Sequence, residues 1–145
     1  MSHRRLFFAA LAVACLTVPG CGNSAREKIV GTWVLDLEAT KALPHFQSMA
    51  EDQKAALFKN LGGMALEITF TKNTMTKQSS AIVMEGLDRM EEKVSGSYKV
   101  NRAKGNTLVL AVQTSEGMKR VGVEIRGDQQ MILDMDESKT VLKRK

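Results

Sequence analysis

The feature that most restricts the fold of this 145-residue chain is a period-two alternation of apolar and polar residues that restarts after each of a series of short polar turns. In ALEITFT (65–71), Leu66, Ile68 and Phe70 fall on one side and Glu67, Thr69 and Thr71 on the other. In VSGSYKV (94–100), Val94, Gly96, Tyr98 and Val100 oppose Ser95, Ser97 and Lys99. Successive strand residues point to opposite faces, so each such stretch describes a strand with one apolar face. IVGTWVLD (29–36), residues 74–84, TLVLAVQ (107–113), residues 118–126, QMILDM (130–135) and KTVLKRK (139–145) read the same way, with Val121, Val123 and Ile125 sharing a face. Between them lie the turn sequences KN (72–73), RAKGN (102–106), SEG (115–117), GDQ (127–129) and DES (136–138). Short strands with such regular turns imply an antiparallel meander.

Residues 40–61 interrupt the pattern and read as helix. Ser48 and Glu51 form an S-x-x-E capping box. Ala50, Leu57, Phe58 and Leu61 lie along one face, and Gly62-Gly63 supplies the stop. Pro44 sets a separate short turn ahead of this helix. The expected order is a strand, a helical pair, then about seven strands in succession.

The N-terminal residues carry a different signal. Met1 to Arg5 are polar and basic, and Leu6 to Val18 (LFFAALAVACLTV) are almost wholly apolar. A bilayer-spanning helix needs roughly 20 apolar residues; this shorter run has the layout of a secretory signal peptide. Pro19 and Gly20 break the helix just ahead of Cys21. VPGC (18–21) resembles a bacterial lipobox, with an aliphatic residue three before the cysteine and a small residue directly before it; Pro19 departs from the usual residues at its place. The resemblance implies cleavage after Gly20, a diacylglycerol on the Cys21 thiol and, often, a further acyl chain on the freed amine. Two or more chains hold a protein stably at a membrane. Cys15 in AVAC is a rival that leaves an apolar core of only Leu6 to Ala14, and an ordinary signal peptide with an incidental cysteine is the alternative. Gly22, rather than aspartate, follows Cys21; in Gram-negative sorting this implies the periplasmic face of the outer membrane. The expected division is a lipoprotein signal peptide at 1–20, a lipid-bearing tether at 21–28 and one folded domain at 29–145.

Composition narrows the partners. Removing Arg4 and Arg5 leaves 19 of the 21 basic residues against 16 acidic ones, a mature charge of about +3. The basic residues are spread along the chain and aromatics make up 5%, whereas a nucleic-acid surface needs a clustered basic stripe. No nucleic-acid partner is expected, and KRK (143–145) reads as a solvated strand end. With Cys21 lipidated and Cys15 removed, no cysteine remains for a disulfide.

Gly31-Thr32-Trp33 on the first strand resembles the G-x-W of lipocalins and fatty-acid-binding proteins, and the helical pair directly after that strand is more similar to the latter. The resemblance implies a mainly β domain: an antiparallel up-and-down barrel of about eight strands with a helical segment between strands 1 and 2. It also implies that Arg144 packs on Trp33, closing the barrel end beside Gly31. A guanidinium over an indole contributes ~0.5–2 kcal/mol. Leu57, Phe58 and Leu61 become candidate lid residues. A core tryptophan in another kind of β-sandwich is the alternative.

Catalytic and metal-binding patterns were sought in the same residues. His45 is the only histidine after processing, and no G-x-S-x-G, Walker loop or G-x-G-x-x-G occurs. DMDESK (134–139) begins like a calcium loop but lacks its glycine and terminal glutamate. The acid pairs Glu91-Glu92 and Asp36/Glu38 read as solvated. Met49, Met64, Met75, Met84, Met90, Met118, Met131 and Met135 are scattered without clustered histidine or cysteine, so they read as core filling suited to an adaptable apolar pocket. The expectation is a non-enzymatic, lipid-anchored envelope protein without metal or cofactor, binding a small apolar ligand such as a lipid or fatty acid. The alternative is an envelope scaffold or inhibitor acting on an unidentified protein partner through its loops, EGLDRMEEK (85–93) being the most charged.

Overall fold

Among the residues described by the computed structural model (24–82, 89–135 and 138–145), eight antiparallel strands close on themselves in sequence order, each pairing with the next and the last with the first. The strands are β1 (Gly31–Leu35), β2 (Met64–Phe70), β3 (Thr74–Ile82), β4 (Arg89–Lys104), β5 (Thr107–Thr114), β6 (Gly117–Arg126), β7 (Gln130–Met135) and β8 (Ser138–Arg144). The helices are α1 (Ala25–Lys28), α2 (Leu37–Lys41), α3 (Pro44–Gln47) and α4 (Glu51–Gly62).

Alternation along each strand becomes inside and outside of the barrel. Leu66, Ile68 and Phe70 of β2, Leu108, Leu110 and Val112 of β5, and Val121, Val123 and Ile125 of β6 are all buried in one core with Trp33 and Leu142. Because the side-chain period is two, register decides which face each residue joins, and two-residue loops fix that register at Gly105-Asn106 and Ser115-Glu116. Gly105 sits at φ +57°, the left-handed conformation such a turn requires. β4 runs well beyond residues 94–100, and a register shift between Val100 and Arg102 bends it around the barrel.

The helices buttress the wall. Ile132 of β7 and Val141 of β8 point outward, into a second apolar cluster with Leu43 and Phe46; Met49, Leu57 and Phe58 pack against it. Three local expectations are corrected. Ser48 does not cap α4: it ends α3, and its hydroxyl donates to the His45 carbonyl at 2.9 Å, while Ala50 holds the N-cap position without a side-chain bond. The tether is shorter than residues 21–28, because Ala25–Lys28 is helical and both Ala25 and Ile29 are buried in the barrel core. Of the loop proposed at 85–93, residues 89–93 belong to β4 and 83–88 lie outside the described residues.

β1 is the weak place in the closure. It pairs with β8 over only three positions: Trp33 with Arg144, Val34 with Lys143 and Leu35 with Leu142. Where β1 ends, the Asp36 N–H still reaches the Val141 carbonyl at 2.9 Å, and α2 then takes over. The buried Thr40 hydroxyl accepts the Val141 N–H at 2.9 Å and donates to the Asp36 carbonyl at 2.7 Å. Asp36 in turn caps α2 by accepting the Ala39 N–H. A side chain thus extends the sheet ladder by one bond. Thr40→Val keeps the volume but leaves the Val141 N–H buried and unpaired, a cost of about 1–3 kcal/mol. Urea denaturation should show a lowered midpoint for Thr40→Val and a near-normal one for Thr40→Ser; equal midpoints for wild type and Thr40→Val would remove this role.

Candidate functional site

The two ends of the barrel are chemically different. At the closed end Trp33 is fully buried, and its Nε1–H donates to the Ile29 carbonyl at 2.8 Å. The Arg144 guanidinium lies 4.4 Å from the Trp33 ring centroid. Its Nη2 donates to the Lys28 carbonyl at 2.7 Å, its Nη1 to Val30 at 3.1 Å and its Nε to Asp128 at 2.9 Å. One side chain therefore ties β8 to the segment before β1 and to the β6–β7 turn. Gly31 stands at φ +137°, and a Cβ there would come 2.6 Å from Arg144 Nη1, so both backbone and space require glycine. Beneath the tryptophan, Phe70 and Tyr98 meet edge to face at 5.8 Å, and the Tyr98 hydroxyl donates to the Thr71 carbonyl at 2.7 Å. Packed side chains fill this floor.

The other end is not filled. The register of β3 puts Lys77 opposite Ile68 of β2 and Val94 of β4, and that of β6 puts Lys119 opposite Val112. Both lysines therefore occupy inward-facing positions. Two adjoining spaces open there. One, of about 60 Å³, lies among Met75, Val94, Val112, Val121 and Met135, with the charged side chains Lys77, Lys119, Glu92 and Glu116 also bordering it. The other, of about 290 Å³, is lined by Leu35, Met64, Leu66, Leu133 and Met135, with Lys77 and Thr140. Lys77 and Met135 border both. A further cleft of about 250 Å³ runs from Leu61, Ser138 and Thr140 beneath α4 toward Phe46 and His45. A hydrogen bond from Lys119 at 2.8 Å, its positive charge, and the weaker field of Lys77 hold the Glu116 carboxyl below its ordinary pKa. Among the described residues the Lys77 ammonium makes no hydrogen bond or ion pair.

The residues singled out from sequence distribute as follows. Gly31, Trp33 and Arg144 come together at the closed end. Leu57 and Phe58 sit in the outer-wall cluster, and of the three lid candidates only Leu61 borders the mouth. Cys21 and Cys15 lie outside the described residues. Met75 and Met131 are buried in the core, Met64 and Met135 pack against it, and Met90 and Met118 are exposed. His45 is exposed against Phe46, and Glu38 pairs with Lys41 at 3.0 Å. Among the described residues no three His, Cys, Asp or Glu side chains are grouped to hold a metal. Lys77 and Lys119 carried no signal when read singly; pairing Phe70 with Met75 across the two-residue KN turn and counting by twos from Met75 reaches Lys77. Comparison with known protein families, with characterised proteins and with solved structures returns no match.

Burial of the Tyr98 phenol in the floor raises its pKa above the ordinary tyrosine value. The folded state thus favours the neutral phenol, a contribution fully present below the unfolded-state pKa and lost as pH rises through the folded-state one. Since the chain has one tyrosine, absorbance at 295 nm should report its ionisation above the usual value of about 10. Folding stability should fall over the same alkaline range, and Tyr98→Phe should lose that component. Ionisation at or below the ordinary value would contradict the assignment.

Proposed function

We propose that the chain is a lipid-anchored, non-catalytic carrier that holds one small apolar ligand with an anionic end, such as a fatty acid, in the mouth of its barrel. The observation that carries this reading is the half-filled interior. The floor is packed, while the upper half keeps two adjoining apolar spaces bordered by a lysine without an ion-paired carboxylate among the described residues. Eight-stranded barrels have room for side chains or for one small ligand. A charge drawn toward an apolar interior is costly unless paired, and a carboxylate or phosphate end group near Lys77 supplies the pair. Met64, Met75 and Met135 give the walls adaptable packing against an alkyl chain.

The reading is supported by the topology of the lipocalin and fatty-acid-binding protein resemblance, a closed up-and-down barrel with its helical segment after β1. Cys21 is the proposed site of acylation, which anchors the exported chain at the cell envelope, at the periplasmic face of the outer membrane in a Gram-negative cell.

Dodecanoate and dodecanol separate the two parts of the ligand. Dodecanoate should displace a fluorescent fatty acid from the wild-type protein. Lys77→Met should weaken dodecanoate by about tenfold or more, the scale of a lost charge-assisted hydrogen bond, and leave dodecanol nearly unchanged. Binding of neither compound would remove the carrier reading. The anchor is tested separately by intact mass of membrane-extracted protein: a diacylglyceryl addition on a chain beginning at Cys21, absent from Cys21→Ser. An unmodified chain with another start would end that assignment.

A further inference from the structure

The turns β2–β3, β4–β5 and β6–β7 gather at the closed end with α1, and the free positive charges gather with them. Arg26, Lys72 and Lys99 line a groove of about 560 Å³ there, with Glu27 and the apolar Val30 and Val100. Val30 is 38% exposed, unusual for a large apolar side chain in this fold. Arg102 and Lys104 follow on the same strand as Lys99, and all five bases are exposed. Among the described residues none of the five forms an ion pair. Ion pairs occur at both ends, Lys28–Asp128 and Arg126–Glu124 at this one and Lys41–Glu38, Lys54–Glu51 and Lys119–Glu116 toward the other, where the exposed acids Asp52, Glu91 and Glu92 also accompany Lys59 and Lys93.

We infer that this basic groove docks on anionic phospholipid headgroups of the same membrane that holds Cys21, so that the barrel stands on its closed end with its mouth turned away from the bilayer. The inference rests on the anchored reading of Cys21. Chain length argues for it: α1 is fixed to the barrel by Ala25 and Ile29, so only residues 22–24 separate the anchor from the fixed body. Ala25 lies four residues after Cys21, and an extended chain spans at most about 3.6 Å per residue, which holds the closed end within roughly 14 Å of the lipid-bearing residue. Charge complementarity does the rest. Phosphates attract juxtamembrane lysine and arginine, and Val30 and Val100 offer apolar contact at the headgroup level.

The test uses the lipidated mature chain in vesicles, with a donor dye on Asn106→Cys at the closed end or on Ser115→Cys at the mouth, and an acceptor on lipid headgroups. Acylation blocks the Cys21 thiol, so only the introduced cysteine is labelled, and the eight residues of β5 separate the two probes by about 26 Å of strand. Energy transfer from Asn106→Cys should be several-fold greater than from Ser115→Cys in vesicles containing phosphatidylglycerol. The difference should shrink in pure phosphatidylcholine and with the combined Arg26→Glu, Lys72→Glu and Lys99→Glu change. Changing the lipid needs no mutation, so misfolding cannot mimic the effect. Equal transfer from the two ends, or a difference indifferent to lipid charge, overturns the inference and leaves the groove to an acidic protein segment. Intact mass is read first: a chain without lipid on Cys21 defeats the anchored reading itself, whereas a lipidated chain that fails the transfer test defeats only the docking.

Discussion

The barrel depends on the seam between β1 and β8. Each other neighbouring pair of strands shares at least four register positions, but this pair shares three. Side chains make up the difference. Arg144 lies on Trp33 while its guanidinium nitrogens bind carbonyls of Lys28, Val30 and Asp128. Thr40, at the other end of the seam, completes the ladder where β1 has already turned into α2. Charge-assisted bonds to backbone oxygen outweigh neutral ones, so the cation at the floor is the stronger of the two clamps. Gly31 is held to glycine by its φ of +137°, and a side chain there would also push the Arg144 guanidinium off its carbonyls.

Floor and mouth divide the work of the fold. Trp33, Phe70, Tyr98, Leu108 and Leu142 pack at or near zero exposure and hold the closure. Toward the mouth the inward positions change to Lys77, Ser79, Glu92, Thr114 and Lys119, residues that cannot pack a dry core on their own. A barrel selected only for stability would place apolar residues there. Polar inward positions above an apolar floor suit an amphiphile entering tail first.

The parts of this arrangement that were legible in the sequence are those written in alternation. β2 and β6 bury the residues that counting by twos selected. The barrel order followed from short turns between short strands. Elsewhere local patterns lost to tertiary ones. Ser48 and Glu51 match a capping box, yet Ser48 terminates the preceding helix, because Pro44 begins a helical turn of its own. The helices pack mainly on the outer wall, with Leu61 alone of the three lid candidates at the mouth, and the clue was present: Met131-Ile132-Leu133 and Val141-Leu142 are consecutive apolar residues, the mark of a strand buried on both faces. Lys77 and Lys119 were passed over because a lysine in a strand is read as solvent-facing unless its register is counted. The basic groove was invisible for another reason. Its cations come from three separate stretches of sequence that only the antiparallel topology brings to one end.

The distance along the chain between the two sides of the seam has a kinetic meaning. Arg144 reaches Val30 across 114 residues, and Lys28 across 116. Closing so long a loop is the costliest step in chain entropy, and contacts of such separation slow folding. The hairpins from β2 to β8 need only their neighbours, whereas Trp33 stays uncovered until β8 arrives. The seam is therefore the contact of longest sequence separation in the barrel, and it carries the largest loop-closure cost of any strand pairing. Until it closes, the edges of β1 and β8 are free to pair with another chain, which makes the interval before closure the moment when this protein most needs to be kept from its neighbours.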